Sequence, residues 1–395
     1  MLLPVTEARA RLLELVSPMP PEEVALQDAL GRVLVEPARA TRTQPPFPAS
    51  AMDGYAVRRD EAAPGAVLTV IGTAQAGRGF DGALGPGQAV RIFTGAPVPE
   101  GADDILIQED ADREGERITV REGRDEKRYV RPAGDDFAEG TAMTGLGPLG
   151  PMDISLLAAM NHARLRVRRK PVVALIPTGD ELVPPGHAPG PDQIVSSNNF
   201  GLAALLAQAG AEPRLLPIAR DTAESLAAVL DLAKGADMIV TLGGASVGDH
   251  DLVQGTALER GLELNFYKVR MRPGKPLMAG RLDGVPMIGL PGNPVSAMVC
   301  GVVFVLPAIR KALGLDPEPV VRRAHLAAPI GANGPREHYM RAVLRETDSG
   351  GEVTVHERQD SALLSVLQAA NALVIRAAGA EAAEAGEMVD VLPLP

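Results

Sequence analysis

The spacing of apolar residues changes texture several times along this chain. Residues 6–16, TEARARLLELV, set apolar positions at helical intervals behind a threonine suited to capping, which predicts an N-terminal helix. From residue 44 that pattern gives way to three prolines within residues 44–48, then to glycines at 72, 77, 79, 82, 85 and 87. Glycines so closely set leave no room for long helices. The short runs at 67–71, 90–93 and 118–120 read as strands, so residues 46–145 are expected to form an inserted small β domain. Residues 152–162, MDISLLAAMNH, return to a helical pattern; residues 1–45 and 146–168 are grouped as an N-terminal helical and linker domain.

A different pattern starts after Pro171. VVALIPTGDEL is a continuous apolar run ending in a polar, glycine-containing turn, as buried parallel strands do. A helical pattern follows at 199–209, a strand at 214–218, a helix capped by Asp221 or Thr222, and an apolar strand at 238–240. This alternation predicts a multidomain α/β protein whose central domain, residues 169–315, is a doubly wound sheet. Ligands of such sheets sit beyond the carboxyl ends of the strands, where PTGDEL, IARD and LGGASVGDHD all fall. After Gly314 the proline-rich LDPEPV opens residues 316–395, expected to be a small β barrel or sheet.

Composition narrows the function classes. A chain of 395 residues is long enough for two to four domains and a core without staples. Its net charge of -11 disfavours nucleic acid and anionic membranes, so an anionic ligand needs a local basic patch. The lone Cys300 excludes an internal disulfide framework. The apolar run 295–309 is broken by Pro307 and falls short of the roughly 20 residues of a membrane span, so a buried core helix is expected there. Glu7, Arg9 and Arg11 stand where a signal peptide would be apolar, and a cytoplasmic location is expected.

Residues 244–248, GASVG, satisfy the pattern of a hydrolase nucleophile elbow at Ser246, but DHD follows where a helix should begin. That spelling suits a loop in which Gly243, Gly244 and Ser246 hold phosphate. The basic patch is YKVRMRPGKP: on an extended strand Lys268, Arg270 and Arg272 share a face, with Lys275 across a Pro-Gly turn. A solvated, charge-protected edge strand has the same pattern. In GLPGNPVSA, Pro291, Gly292 and Asn293 set a turn and Pro294 suits the first helical position. Such a helix start is either a phosphate site or only a good cap. Asp180, Glu181, Asp221, Asp249 and Asp251 exceed what capping needs, and hard oxygens beside phosphate suit Mg²⁺. His250 is expected to be a solvated loop histidine. No Walker-type loop and no His-Glu-x-x-His occurs.

SAMDGYAV, RIFTGAPVPEGAD, PTGDEL, GGASVGDHD, MRPGKP and GLPGNPVSA follow one another as in the MoeA family, the molybdopterin molybdenumtransferases, which include the gephyrin E domain. The chain resembles that family over nearly its whole length. The resemblance implies a homodimer of elongated four-domain subunits that inserts molybdate into adenylylated molybdopterin. AMP is released in a Mg²⁺-dependent step, downstream of a molybdopterin adenylyltransferase. It also implies sites shared between two chains. Catalytic roles carry over to Asp53, Asp136, Glu181, Asp221 and Asp251, and substrate contacts to Thr94, Lys268, Arg272, Lys275, Arg341 and Ser361. Glu181, Asp221, Asp249 and Asp251 become the metal ligands. Asp53 read alone is a turn aspartate, and Asp135 adjoins Asp136. Arg272 replaces the lysine frequent in the family, trading a point charge for a planar fork. Asp360 and Ala362 flank Ser361 where the family has a glycine and a small or polar residue. The alternative functions are a molybdopterin adenylyltransferase and a non-catalytic, gephyrin-like scaffold.

Overall fold

The computed structural model describes residues 2–143, 147–244, 252–348 and 350–395. The chain divides into two units: Glu23–Arg166, and a larger one taking the chain up to Glu22 and from Val167 onward.

In the smaller unit a six-stranded sheet runs in the order Asp104–Ile107, Gly54–Val57, Gln88–Ile92, Val67–Ala74, Arg117–Val120, Ala111–Glu114. Side chains alternate across a strand, so Tyr55 and Val57 enter one apolar cluster with Leu68 and Ile118, while Ala56 enters another with Val90 and Ile92. Both faces of the sheet are thus covered. The helix Pro151–Ala159 starts on a proline, and the Asp153 carboxylate accepts the Gly150 N–H at 2.8 Å.

The larger unit is built on a second six-stranded sheet. Its order is Glu212–Leu215, Val172–Pro177, Met238–Leu242, Val285–Leu290, Met278–Leu282, Glu263–Tyr267. The first four strands are parallel and the last two pairings antiparallel, so only Met278–Leu282 runs against the rest. Val172–Pro177 and Met238–Leu242 are almost wholly buried, as strands covered on both faces must be. Arg169 clamps Asp237 with two bonds of 2.9 and 2.6 Å, and Asp237 also accepts the Val172 N–H at 2.8 Å, fixing where the central strand enters.

Several expectations need correction. Thr6 caps nothing: the first helix is Val5–Glu14 with Pro4 as its N-cap. That helix lies in the larger unit. Its buried stripe of Val5, Ala8, Leu12 and Leu13 packs on Leu306–Ala312 and Glu263–Tyr267. The strand expected at 214–218 is Glu212–Leu215. Pro307 does not break the apolar run: the helix Pro294–Ala312 continues for 19 residues, through a π-helical turn at Gly301–Val305. A π turn just ahead of a proline absorbs its missing N–H and its ring. The helix is long and apolar enough to cross a membrane, but 78% of its apolar window is buried inside the protein.

The C-terminal strands close on themselves. Glu337–Thr347 pairs with Gly350–Val355 on one side and Ala372–Arg376 on the other, and Arg322–Leu326 and Met388–Pro393 complete a five-stranded barrel. Ala324, Leu326, Ala342, Val353, Val374 and Val391 fill it. Met271–Arg272 adds to its edge, alongside Glu337 and His338.

Candidate functional site

Three neighbouring parallel strands end level with one another. Pro177 lies beside Leu242, and Leu242 beside Leu290. The turns that follow, at Thr178, Gly243 and Pro291, therefore emerge side by side and border a cleft of about 630 Å³. Main-chain bonds tie them together: Thr178 N donates to Leu242 O at 2.9 Å and Gly243 N to Leu290 O at 3.1 Å. Gly243 has φ +101° and Gly244 φ +67°, the left-handed region that favours glycine.

Pro291, Gly292 and Asn293 make the turn that precedes Pro294–Cys300, with Asn293 at the N-cap and Pro294 at the first position as expected. Asn293 does not cap with its side chain; Nδ2 donates to Ser361 Oγ at 3.1 Å, and Val295 N donates to Ser361 O at 3.1 Å. Pro294 has no N–H and the Val295 amide is taken by Ser361, so Ser361 itself is bound at the helix start. Asn198, unmarked in the sequence reading, holds the turn from the other side, Nδ2 donating to Gly292 O at 2.6 Å. Its only signal was SSNN, polar residues before a helix.

Of the carboxylates, Glu181 lines the cleft. Asp180 and Asp221 hold one another's turns: Asp180 N donates to Asp221 Oδ2 at 3.3 Å and Asp221 N to Asp180 Oδ1 at 3.2 Å. Thr222, not Asp221, caps the next helix, accepting from Ser225 N at 3.2 Å. Asp249, Asp251, Ser246 and His250 lie outside the described residues. Among the described residues no three His, Cys, Asp or Glu side chains are grouped to hold a metal.

The basic segment departs from one extended strand. The strand ends at Tyr267, Lys268 turns to φ +69°, and only Met271–Arg272 is extended again. Lys268 consequently leaves the shared face, its Nζ lying 4.5 Å from the Tyr267 ring centre. Beyond the turn the alternation holds, with Val269 and Met271 buried and Arg270 and Arg272 exposed. Lys275 follows in the Pro-Gly turn, its carbonyl accepting Val269 N at 3.0 Å.

Arg341 is the least expected group. It is 0% exposed, the bulkiest fully buried side chain among the described residues. Nη2 donates to Asp360 O at 3.0 Å and Arg358 O at 3.4 Å, yet buried Nε and Nη1 have no protein partner. Gln359 locks the strand, accepting Arg341 N and donating to Arg341 O, each at 3.0 Å. Burial, then the neighbouring Arg272, pull the guanidinium below its usual pKa. The same arginines, with Arg336, add to burial in holding His338 down at about 4, so its imidazole is neutral at pH 7. One loop, residues 358–362, thus joins Arg341 to Ser361 and the start of Pro294–Cys300. It links the cleft to a buried cation whose Nε and Nη1 have no protein partner.

In the smaller unit Asp53 and Thr94 meet. Thr94 N and Oγ1 both donate to Asp53 Oδ1 at 2.8 Å. These bonds, chiefly the backbone one, with help from Arg91, hold the carboxyl below its usual range. Asp136 is placed separately, its N–H donating to Gln44 O at 3.1 Å.

Residues 3–161 match the MoeA N-terminal region (domain I and II), residues 174–311 the "Probable molybdopterin binding domain", and residues 323–394 the MoeA C-terminal region (domain IV). A molybdopterin molybdenumtransferase of Nostoc sp. is 36% identical over 389 residues, covering 95% of this chain and 89% of the relative. The chain belongs to the MoeA family. Molybdopterin molybdenumtransferase 2 of Mycobacterium tuberculosis is 37% identical over 353 residues, covering 86% of this chain and 87% of its own. A molybdopterin biosynthesis MoeA protein of Pyrococcus horikoshii superposes with a TM-score of 0.85 at 29% identity, covering 100% of this chain and 99% of the other. The multidomain α/β fold, with its molybdopterin-binding type domain and C-terminal barrel, is therefore that of MoeA proteins.

Proposed function

We propose that this protein inserts molybdenum into molybdopterin, taking molybdate and adenylylated molybdopterin and releasing AMP. One observation carries the reading: Arg341 keeps two buried nitrogens, Nε and Nη1, without protein partners beside a second arginine, and the loop that holds it runs through Ser361 to Ala362 on the wall of the cleft. An unpaired buried guanidinium is costly, and a bound oxyanion offsets that cost. Arg341, Arg272, Lys275 and Ser361 are assigned to molybdate, and Gly243, Gly244, Pro291, Gly292, Asn293 and Ser246 to the phosphates. Lys268 is kept only as a peripheral contact. Glu181 and Asp221 fit Mg²⁺, which takes hard oxygens and commonly only one or two carboxylates beside substrate phosphates. They would hold it together with Asp249 and Asp251. Bound there, it would neutralise charge on the phosphoanhydride. The chain's own groups position and stabilise charge; no covalent enzyme intermediate is needed. Asp53, Thr94 and Asp136 are assigned to the same reaction, the protein to a cytoplasmic homodimer, and its substrate to an upstream molybdopterin adenylyltransferase.

The test is AMP release by the purified protein supplied with adenylylated molybdopterin, molybdate and Mg²⁺, against controls lacking each. Release that ignores molybdate would reduce the activity to a hydrolysis and sink the reading. Glu181→Gln should raise the Mg²⁺ concentration giving half-maximal rate by about tenfold, since a neutral amide is a poor ligand for a hard cation. An unchanged Mg²⁺ titration would remove Glu181 from the metal site.

Asp53→Asn isolates charge from geometry, because the amide oxygen can still accept both Thr94 bonds. AMP release should fall about tenfold or more with the melting temperature held; equal rates would leave Asp53 a turn residue. The sign of its pH dependence is fixed. The folded pKa is lowered, so what Asp53 contributes is present above the ordinary carboxylate range and lost as pH falls through the lower folded value. Asp53 should therefore add no acid limb to the rate profile at pH 5 or above.

A further inference from the structure

The cleft is uneven in character. Among its described lining residues only Glu181 is charged, and one wall is aliphatic. That wall is a short flap in which Leu182–Val183 pairs in parallel with Ile194–Val195. It is anchored by Ile194 N donating to Glu181 O at 2.7 Å and Ser196 N to Val183 O at 2.9 Å. Val183 is buried at 8% exposure, but Ile194 is 58% and Val195 42% exposed, and both border the cleft. Two branched apolar side chains held in water beside a substrate cleft, on an anchored flap, are an unfilled contact surface. The opposite end of the cleft is formed by the turns at Gly243–Gly244 and Pro291–Asn293, and the loop at Ala362 leads on to Ser361 and Arg341.

We propose that Ile194 and Val195 are the platform for a flat heteroaromatic ring of the substrate and fix its orientation in the cleft. The ring lies on the flap, the phosphates reach the glycine turn and the Pro294–Cys300 helix start, and the oxyanion lies toward Arg272 and Arg341. The shape suits this polarity. A neutral ring gains from leaving water against aliphatic carbon, whereas a phosphate there would face those apolar side chains and the Glu181 carboxylate. Both rings of an adenylylated pterin have the required chemistry, purine and pterin alike. In naming them the inference rests on the molybdenum-insertion reading; the platform itself does not.

The test uses the full chain and three probes measured by calorimetry: AMP, neopterin, and ribose 5-phosphate, which has no aromatic ring. The variants are Ile194→Ala and Val195→Ala, singly and together. Because both side chains are already largely exposed, melting temperature should change little. The double variant should weaken binding of the ring-bearing probe by about tenfold while ribose 5-phosphate changes by less than twofold. Loss confined to AMP identifies the purine as occupant, and loss confined to neopterin the pterin. Absence of AMP and neopterin binding to the wild-type protein overturns the proposal, as does an equal loss for all three probes. So does dissociation of an oligomer on substitution without a ring-specific loss, which would make the flap a contact between copies. If ring binding depends on Ile194 yet no molybdate-dependent AMP release is found, the platform stands and the molybdenum reading fails.

Discussion

Arg341→Met is expected to lower molybdate-dependent AMP release by about a hundredfold or more, with the melting temperature unchanged or raised. The two halves of this expectation come from the same geometry. Arg341 is fully buried, bonds to main-chain carbonyls of residues 358 and 360, and leaves Nε and Nη1 unpaired. The Asp360 carboxylate offsets part of this charge, but burial and the neighbouring Arg272 outweigh it and lower the pKa. Replacing it by an unbranched apolar side chain removes a desolvated and only partly compensated charge, a change that is often neutral or stabilising by about 1–4 kcal/mol. The same change deletes the fork that would meet the oxyanion, and removing one such preorganised donor group costs about 10²–10³ in rate. Arg341→Lys should not rescue activity, because a point charge cannot reproduce two N–H groups in one plane. Melting curves and tungstate or molybdate calorimetry on both variants decide the matter. A fall of many degrees in melting temperature with unaltered oxyanion affinity would make Arg341 a structural residue and detach the basic cluster from the reaction.

The legibility of this site in the sequence follows the range of the forces that build it. Strands such as Val172–Pro177 and Met238–Leu242 are covered on both faces, so their composition alone reveals them. The turn at residues 291–293 is equally local, since Pro294 and Asn293 specify a helix start wherever they stand. Lys268 shows where local reading ends. Alternation placed it with Arg270 and Arg272, but its N–H and carbonyl are taken by Leu277 and Leu3, and those partners turn the chain to φ +69°. Pro307 misled for the converse reason, because the adjustment that tolerates it is a π turn of five buried residues that the apolar pattern does not reveal. Arg341 was reached only through family resemblance. Nothing in REHYMRAVL distinguishes a surface arginine from one carried inside, and its burial depends on the 358–362 loop folding over it. Nothing in the pattern around Ile194 and Val195 singles them out. Their meaning came from what the structure leaves uncovered around them.

Gly243→Ala is expected to destabilise the protein by about 2–4 kcal/mol and to abolish AMP release, whereas Gly292→Ala should fold with near-normal stability. The two glycines are neighbours in the same cleft: a Cβ on Gly292 would lie 3.5 Å from the Gly243 Cα, an ordinary contact. Gly243 differs in two respects. Its φ of +101° is strained for any side chain, and a Cβ there would lie 2.7 Å from Thr178 O and 2.9 Å from Thr178 Oγ1. Neither atom can retreat easily. Thr178 N donates to Leu242 O at 2.9 Å, and the threonine is the first residue after the central strand, so moving it opens the pairing that brings the strand ends level. The substitution therefore strains the junction from which the Glu181 turn and the phosphate-holding turn both depart. Thermal melts of the two variants, with AMP release measured well below each melting point, separate the effects. Should Gly243→Ala melt like the wild type and retain its rate, the close approach of the two turns is not what shapes the cleft, and the assignment of Gly243 to phosphate falls with it.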